Sequence, residues 1–166
     1  VFMLLFGVNF SCYYLLLMRQ FRSVLRDEEL RLYLIIVAGA ILLITWDLRD
    51  LYATVGQALH HAAFQVASII STTGFATTDF DLWPSFSKAI LMVLMITGAC
   101  AGSTAGGLKL ARALLLIKTL RRNARQVLHP NRVQVVRNNG QAISEKVLEH
   151  ANAYFAAYII IILVSF

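Results

Sequence analysis

Charge is scarce in this sequence: Asp, Glu, Lys and Arg make up 14% of its 166 residues, against 58% hydrophobic residues. The apolar residues gather in long runs, which a soluble domain of this length would have trouble keeping from aggregating, so lipid is the expected solvent. Cysteine is nearly missing as well. Cys12 and Cys100 both sit inside apolar runs without partner spacing, which excludes a disulfide framework and a zinc site and leaves them as small packing residues. The nine acidic residues are scattered over the edges of the apolar segments, with no intramembrane pair to relay protons. Ser103 and Thr104 have no base at an interpretable spacing, so enzymatic chemistry is not supported. An initiator Met, a charged leader and a cleavage site are also missing. The sequence starts within one apolar run and stops within another, and reads as a piece of a longer protein.

What is there is the pattern of a polytopic α-helical membrane protein. A helix needs roughly 20 residues to cross the hydrocarbon layer. Residues 1–18, 30–46 and 147–166 meet or approach that length. The second is closed by the polar cluster Asp47, Arg49 and Asp50 and by the interfacial aromatics Trp46 and Tyr52. Residues 85–120 are long enough to span, but the stretch Gly98-Ala99-Cys100-Ala101-Gly102-Ser103-Thr104-Ala105-Gly106-Gly107 interrupts them. A helix through Gly98, Gly102, Gly106 and Gly107 would lose up to about 1 kcal/mol at each relative to alanine, so a break is expected there. Residues 58–71 are helix-like but too short to cross, which suits a re-entrant segment.

Basic residues test that topology. Arg19, Arg22, Arg26 and Arg31 lie between the first two spans, and Lys109, Arg112, Lys118, Arg121, Arg122, Arg125, Arg132, Arg137 and Lys146 lie at and after the broken one. Both clusters belong in the cytoplasm by the positive-inside rule, which requires an even number of crossings between them. Residues 30–46 and 85–120 supply those crossings, so 58–71 must enter and leave on the external face. The net charge of +6 is then explained by topology and anionic inner-leaflet lipid, without nucleic acid.

The return from the re-entrant helix reads Ser71-Thr72-Thr73-Gly74-Phe75-Ala76-Thr77-Thr78-Asp79. Non-helical backbone at membrane depth is tolerated only where it is buried in protein or lines water. Glycine permits backbone angles that turn consecutive carbonyls toward one axis, as a desolvated cation requires. Thr72 and Thr73 add hydroxyl oxygens or stiffen the turn. On the external flank, Asp47, Asp50, Asp79 and Asp81 outweigh Arg49 and Lys88, which would concentrate cations at the mouth.

The run STTGFATTDFDLWP, followed by GACAGSTAGGLK at residues 98–109, resembles the third pore repeat of the Trk/Ktr/HKT potassium transporter superfamily, closest to its Trk-type pore-forming subunit. The later His129-Pro130-Asn131 is similar to a cytoplasmic loop of that subunit. The resemblance implies four non-identical repeats of helix, pore loop and helix around one central pathway, each giving a filter strand with a key glycine. In that scheme 1–18 ends the preceding repeat, 19–31 is a cytoplasmic loop and 32–120 is the pore repeat, with 58–79 re-entrant and 47–84 external. Residues 121–146 are a second cytoplasmic loop, and 147–166 begin the next repeat. It further implies potassium ligands at Thr72, Thr73, Gly74 and Phe75, an intramembrane gate loop at 98–107 supported by Lys109, and a bacterial inner-membrane location. The implied partners are the remaining repeats, a second copy of the pore subunit, membrane lipid, and a cytoplasmic ring of TrkA-like regulatory subunits. Those subunits, not this chain, would bind nucleotide; no cofactor beyond the transported potassium is implied here.

Plainer readings stand beside each feature. Gly102 and Gly106 form a GxxxG, the signature of close helix packing. The same stretch loosely matches a phosphate-binding loop, but Leu108 stands where lysine is required and Leu110 where Ser or Thr should follow. Residues 71–79 would otherwise be an external loop. His60 and His61 read as packing near the interface, since no third metal ligand is spaced to join them. Asn9 reads as a helix-to-helix hydrogen bond, Met18, Met92 and Met95 as packing, and Arg121, Arg122 and Arg125 as contacts to lipid headgroups, with docking to the regulatory ring as the second reading. A glycine loop with few side-chain anchors is expected to move at low cost, with Lys109 snorkelling or bonding its carbonyls. Against potassium conduction stand a sodium-permeable relative of the same fold and a non-conducting packing module.

Overall fold

The computed structural model describes residues 1–128, 136–139 and 141–165. The motif at His129, Pro130 and Asn131, and Arg132 beside it, therefore lie outside the described residues. The chain divides into two compact units, Val1–Leu110 and Ala111–Phe166.

In the first unit the chain runs through α1 (Phe2–Phe6), α2 (Phe10–Leu17), α3 (Phe21–Arg26), α4 (Glu28–Asp47), α5 (Val55–Ile70), a 3-10 turn (Phe80–Leu82) and α6 (Ser85–Thr97). Helix α4 has 20 residues, about 30 Å at 1.5 Å per residue, the thickness of the hydrocarbon layer. It begins where Asp27 accepts a hydrogen bond from the Leu30 amide at 2.9 Å, with Glu28 and Glu29 against the positive end of the helix dipole. Tyr33, Val37, Ala40, Ile44 and the adjoining Leu48 recur at helical spacing and are buried. They pack on Ala58, Ala62, Val66 and Ile70 of α5 and on Leu91 and Leu94 of α6. Alanine at two successive turns of α5 lets the helices approach closely. Leu34, Ile35, Leu42 and Leu43 on the remaining face of α4 are exposed, a surface suited to lipid or to neighbouring transmembrane helices.

The end of α4 is tied to the start of α6. Asp47 Oδ2 accepts from the Ser87 amide at 3.2 Å and from the Ser87 hydroxyl at 2.6 Å, and Ser87 is fully buried. Helix α6 is only 13 residues long and stops at Gly98, about 20 Å from its start. The non-helical stretch runs from Gly98 to Lys109, two residues beyond the expected 98–107, before α7 (Leu110–Leu128) resumes.

Residues 1–18 are not one continuous helix. The hydroxyl of Tyr33, buried on α4, donates to the Leu4 carbonyl at 2.9 Å. That carbonyl is the acceptor Val8 would need in a continuous helix, and the Val8 amide turns instead to the Leu5 carbonyl at 3.0 Å. Asn9 restarts the helix: its Oδ1 accepts from the Ser11 amide at 2.9 Å, an N-cap rather than the expected helix-to-helix bond. The expected loop 19–31 is also largely helical, since α3 and the first turn of α4 fall within it.

In the second unit α7 continues to Leu128, past the expected end of the span at residue 120. It is followed by a hairpin of β1 (Arg137–Asn138) and β2 (Gln141–Ala142), with Arg137 opposite Ala142, and by α8 (Glu145–Ser165). The Lys118 amine donates to the Arg137 carbonyl at 2.8 Å, and the Arg112 guanidinium lies 4.0 Å from the Tyr154 ring centre. Arg122 pairs with Glu145. Among the described residues, α4 and residues Glu145–Val164 are the helices long and apolar enough to cross a membrane.

Candidate functional site

Helix α5 ends at Ile70, and the chain turns back through a short web of hydrogen bonds. The Ser71 hydroxyl bonds the Ala67 carbonyl at 2.6 Å and meets the Thr73 hydroxyl at 2.7 Å. The Thr72 and Thr73 amides bond the carbonyls of Ile69 and Ser68 at 3.0 and 2.9 Å. Two residues then adopt left-handed backbone: Thr72 at φ 55° and Gly74 at φ 80°. Glycine accepts that conformation without penalty. A β-branched residue does not, and strain of this kind gathers where the surroundings hold it for use. Among the described residues nothing donates to the carbonyls of Thr72, Thr73 and Gly74. The Phe75 carbonyl differs, since it accepts from the Ser68 hydroxyl at 2.5 Å.

The far end of this return is clamped by Tyr52 and His61, expected as an interfacial aromatic and as packing near the interface, together with Trp83. Tyr52 stacks on His61 with ring centres 5.0 Å apart. Its hydroxyl accepts from Trp83 Nε1 at 3.3 Å and meets Thr78 Oγ1 at 3.4 Å, while His61 Nδ1 lies 3.4 Å from Thr77 Oγ1. Of the acids expected on the external flank, Asp47 is engaged with Ser87 and Asp50 with Arg49 at 3.5 Å. Lys88 donates to the Asp81 carbonyl at 3.0 Å.

The break between α6 and α7 is closed at its base by backbone contact. The amides of Leu108 and Leu110 bond the carbonyls of Ile96 and Ala99 at 3.2 and 3.0 Å. Gly98 adopts φ 65°, ψ −161°, and a Cβ there would collide with the Gly106 carbonyl. Gly102 and Gly106 lie outside any helix, so their spacing is not helix packing; close approach accounts for Gly98 and for Gly102, where a Cβ would stand 3.0 Å from Asn9 Oδ1, whereas at Gly106 it would make only ordinary contact with Thr72.

Contrary to the expectation of a loosely anchored loop, its crown is held on several sides. The Cys100 amide bonds the Gly7 carbonyl at 3.1 Å, the Phe10 amide bonds the Gly102 carbonyl at 3.2 Å, and the Thr104 amide reaches the Phe6 carbonyl at 3.4 Å. These are groups set free by the break between α1 and α2. Ser103 closes a local turn on the Cys100 carbonyl at 2.6 Å, Ala105 is buried, and the Ala101 amide donates to the Glu29 carboxylate. Lys109 supplies none of this: it has a left-handed backbone at φ 68° and makes no side-chain hydrogen bond among the described residues.

One bond joins the two halves of the site. The Gly106 amide donates to Thr72 Oγ1 at 2.9 Å. Gly106 stands against Gly98, where α6 ends after 13 residues, so the return meets the chain about 20 Å from the start of that helix. Its threonine hydroxyl therefore rests on the broken helix.

Over residues 1–166 the sequence matches the family described as TrkH, Cation transport protein. The chain belongs to the TrkH family. Among TrkH relatives, it is similar to the Trk system potassium uptake protein TrkH of Escherichia coli K12, at 33% identity over 99% of this chain and 35% of that protein. Another, TrkH of Halomonas elongata, is 31% identical over 96% of this chain and 34% of its own length. The crystal structure of the potassium transporter TrkH from Vibrio parahaemolyticus superposes with a TM-score of 0.88 at 30% identity, over 98% of this chain and 36% of that one. The fold is thus that of an all-α polytopic membrane transporter, and the chain spans about a third of the length of the relatives it matches.

Proposed function

We propose that this chain supplies one quarter of a potassium-selective filter, together with the gate loop beneath it, in a TrkH-type uptake system. The reading is carried by the juxtaposition of an unclaimed row of carbonyls at Thr72, Thr73 and Gly74 with the broken helix at Gly106. Carbonyl oxygens in such a row replace the water shell of a desolvated cation. The Phe75 carbonyl joins them through the lone pair that Ser68 leaves open. The stretch 98–107 crosses below this row as non-helical backbone and bars the pathway when seated on Thr72. Residues 47–84 face outside and 121–146 the cytoplasm, in agreement with the basic residues and the positive-inside rule. Three further repeats complete the pore, a second pore subunit pairs with it, and a TrkA-like nucleotide-binding ring acts on it from within. The setting is the bacterial inner membrane.

The test is complementation. The full-length parent protein, expressed in bacteria that lack potassium uptake, should restore growth at low potassium and accumulate rubidium. If membrane abundance is verified and neither occurs, the proposal is refuted.

A further inference from the structure

An ionisable side chain anchors the gate loop, and it comes from outside the pore repeat's filter and loop. Glu29 stands in the first turn of α4, is only 7% exposed, and accepts a hydrogen bond from the Ala101 amide at the crown of the loop. A carboxylate this deeply buried needs compensation. The loop amide supplies part of it, and the N-terminal dipole of α4 favours the negative charge further. The other tethers of the crown, to Phe6, Gly7 and Phe10, are backbone to backbone apart from the Thr104 hydroxyl, which reaches the Phe6 carbonyl at 3.4 Å, and none is charged. The bond to Glu29 is charge-assisted and so roughly twice as strong as a neutral one.

Its placement is informative too. Asp27, which caps α4, directly follows α3, and α3 packs against both α2 and α4. The segment carrying Arg19, Arg22, Arg26 and Arg31 is therefore joined within a few residues to the carboxylate that holds the loop.

We infer that Glu29 is a positioning residue that latches the loop 98–107 in its closed seat, and that release of the Ala101 amide from Glu29 accompanies opening. This rests on the potassium-pore reading above. A ligand or subunit that shifts α3 and the start of α4 changes the latch without touching the filter. Closed and open states then differ by a bond made in one of them alone, which is what a two-state element requires.

The experiment uses the full-length parent in liposomes without its regulatory subunits, comparing wild type, Glu29→Leu and Glu29→Gln at matched abundance. Rubidium and sodium fluxes are read together. Loss of a hydrogen bond to a charged acceptor should raise the regulator-free rubidium flux of Glu29→Leu by roughly ten- to hundred-fold. Glu29→Gln keeps the acceptor without the charge and should rise only about two- to five-fold. The rubidium-to-sodium ratio should stay at the wild-type value in both, because the filter is untouched. If Glu29→Leu does not fold, the graded rise in Glu29→Gln alone decides. Unchanged or reduced flux in the folded variants overturns the latch while leaving the pore reading intact. The pore reading fails separately, and the latch with it, if cells that make the full-length wild type together with its regulatory subunits, at verified membrane abundance, take up no rubidium.

Discussion

Gly98→Ala should be among the most damaging single-methyl additions in this chain, and its cost can be worked from two independent sources. Gly98 sits at φ 65°, ψ −161°, a region open essentially to glycine alone, where another residue carries about 1–3 kcal/mol of strain. The new Cβ would also run into the Gly106 carbonyl, with the Gly107 Cα close behind at 3.3 Å. Both neighbours are backbone and cannot rotate away, so overpacking adds about 1–3 kcal/mol. The sum is roughly 2–6 kcal/mol, a large share of the marginal stability of a folded protein. Gly39→Ala is the control: it lies within α4, and an added Cβ meets nothing within 4 Å. That change should stabilise the helix by about 0.5–1 kcal/mol. Denaturant unfolding of the full-length parent in detergent, for wild type and both variants, gives the comparison. A Gly98→Ala protein as stable as Gly39→Ala would refute the close approach of residues 98 and 106.

Further outcomes follow from other contacts. Asp47→Ala strands the buried amide and hydroxyl of Ser87 and should cost about 1–3 kcal/mol. A double-mutant cycle with Ser87→Ala should show a coupling of at least about 0.5 kcal/mol, and additivity would contradict the link between α4 and α6. Tyr52→Phe removes the acceptor of Trp83 and the contact to Thr78, while keeping the stack on His61. Amide exchange in residues 75–79 should quicken with little loss of global stability, about 1 kcal/mol, and unchanged exchange would argue against an outer clamp.

Much of this was legible in the sequence because membrane segments obey length and charge rules that need no partner. Helix α4, the short α5 and the glycine break all follow from apolar run length and glycine cost. The break at 7–9 did not. Its cause is the Tyr33 hydroxyl reaching across from α4 to the Leu4 carbonyl, a tertiary contact that leaves no periodic trace in either segment. Asn9 two residues after Gly7 was the available signal, since Asn caps helices readily. Glu29 was hidden for a similar reason. As one acid in an acidic first turn it reads as a solvated helix start, and only its burial against Ala101 sets it apart from Glu28. Thr72 was expected as an ion ligand through its carbonyl. That its side chain would carry the loop through Gly106 depends on the left-handed backbone at that residue, which no threonine announces.

The central claim is that Gly74 shapes a filter, and it is tested most directly by rubidium and sodium uptake in cells making the full-length parent, wild type against Gly74→Ser. Nothing within this chain lies within 4 Å of where the serine Cβ would stand, so packing inside the repeat is undisturbed and the change acts on the backbone at φ 80° and on the carbonyls it aims. At matched membrane abundance the account predicts that preference for rubidium over sodium falls while protein levels hold. Uptake and selectivity both unchanged would contradict it and leave Gly74 as a turn residue in a membrane packing module.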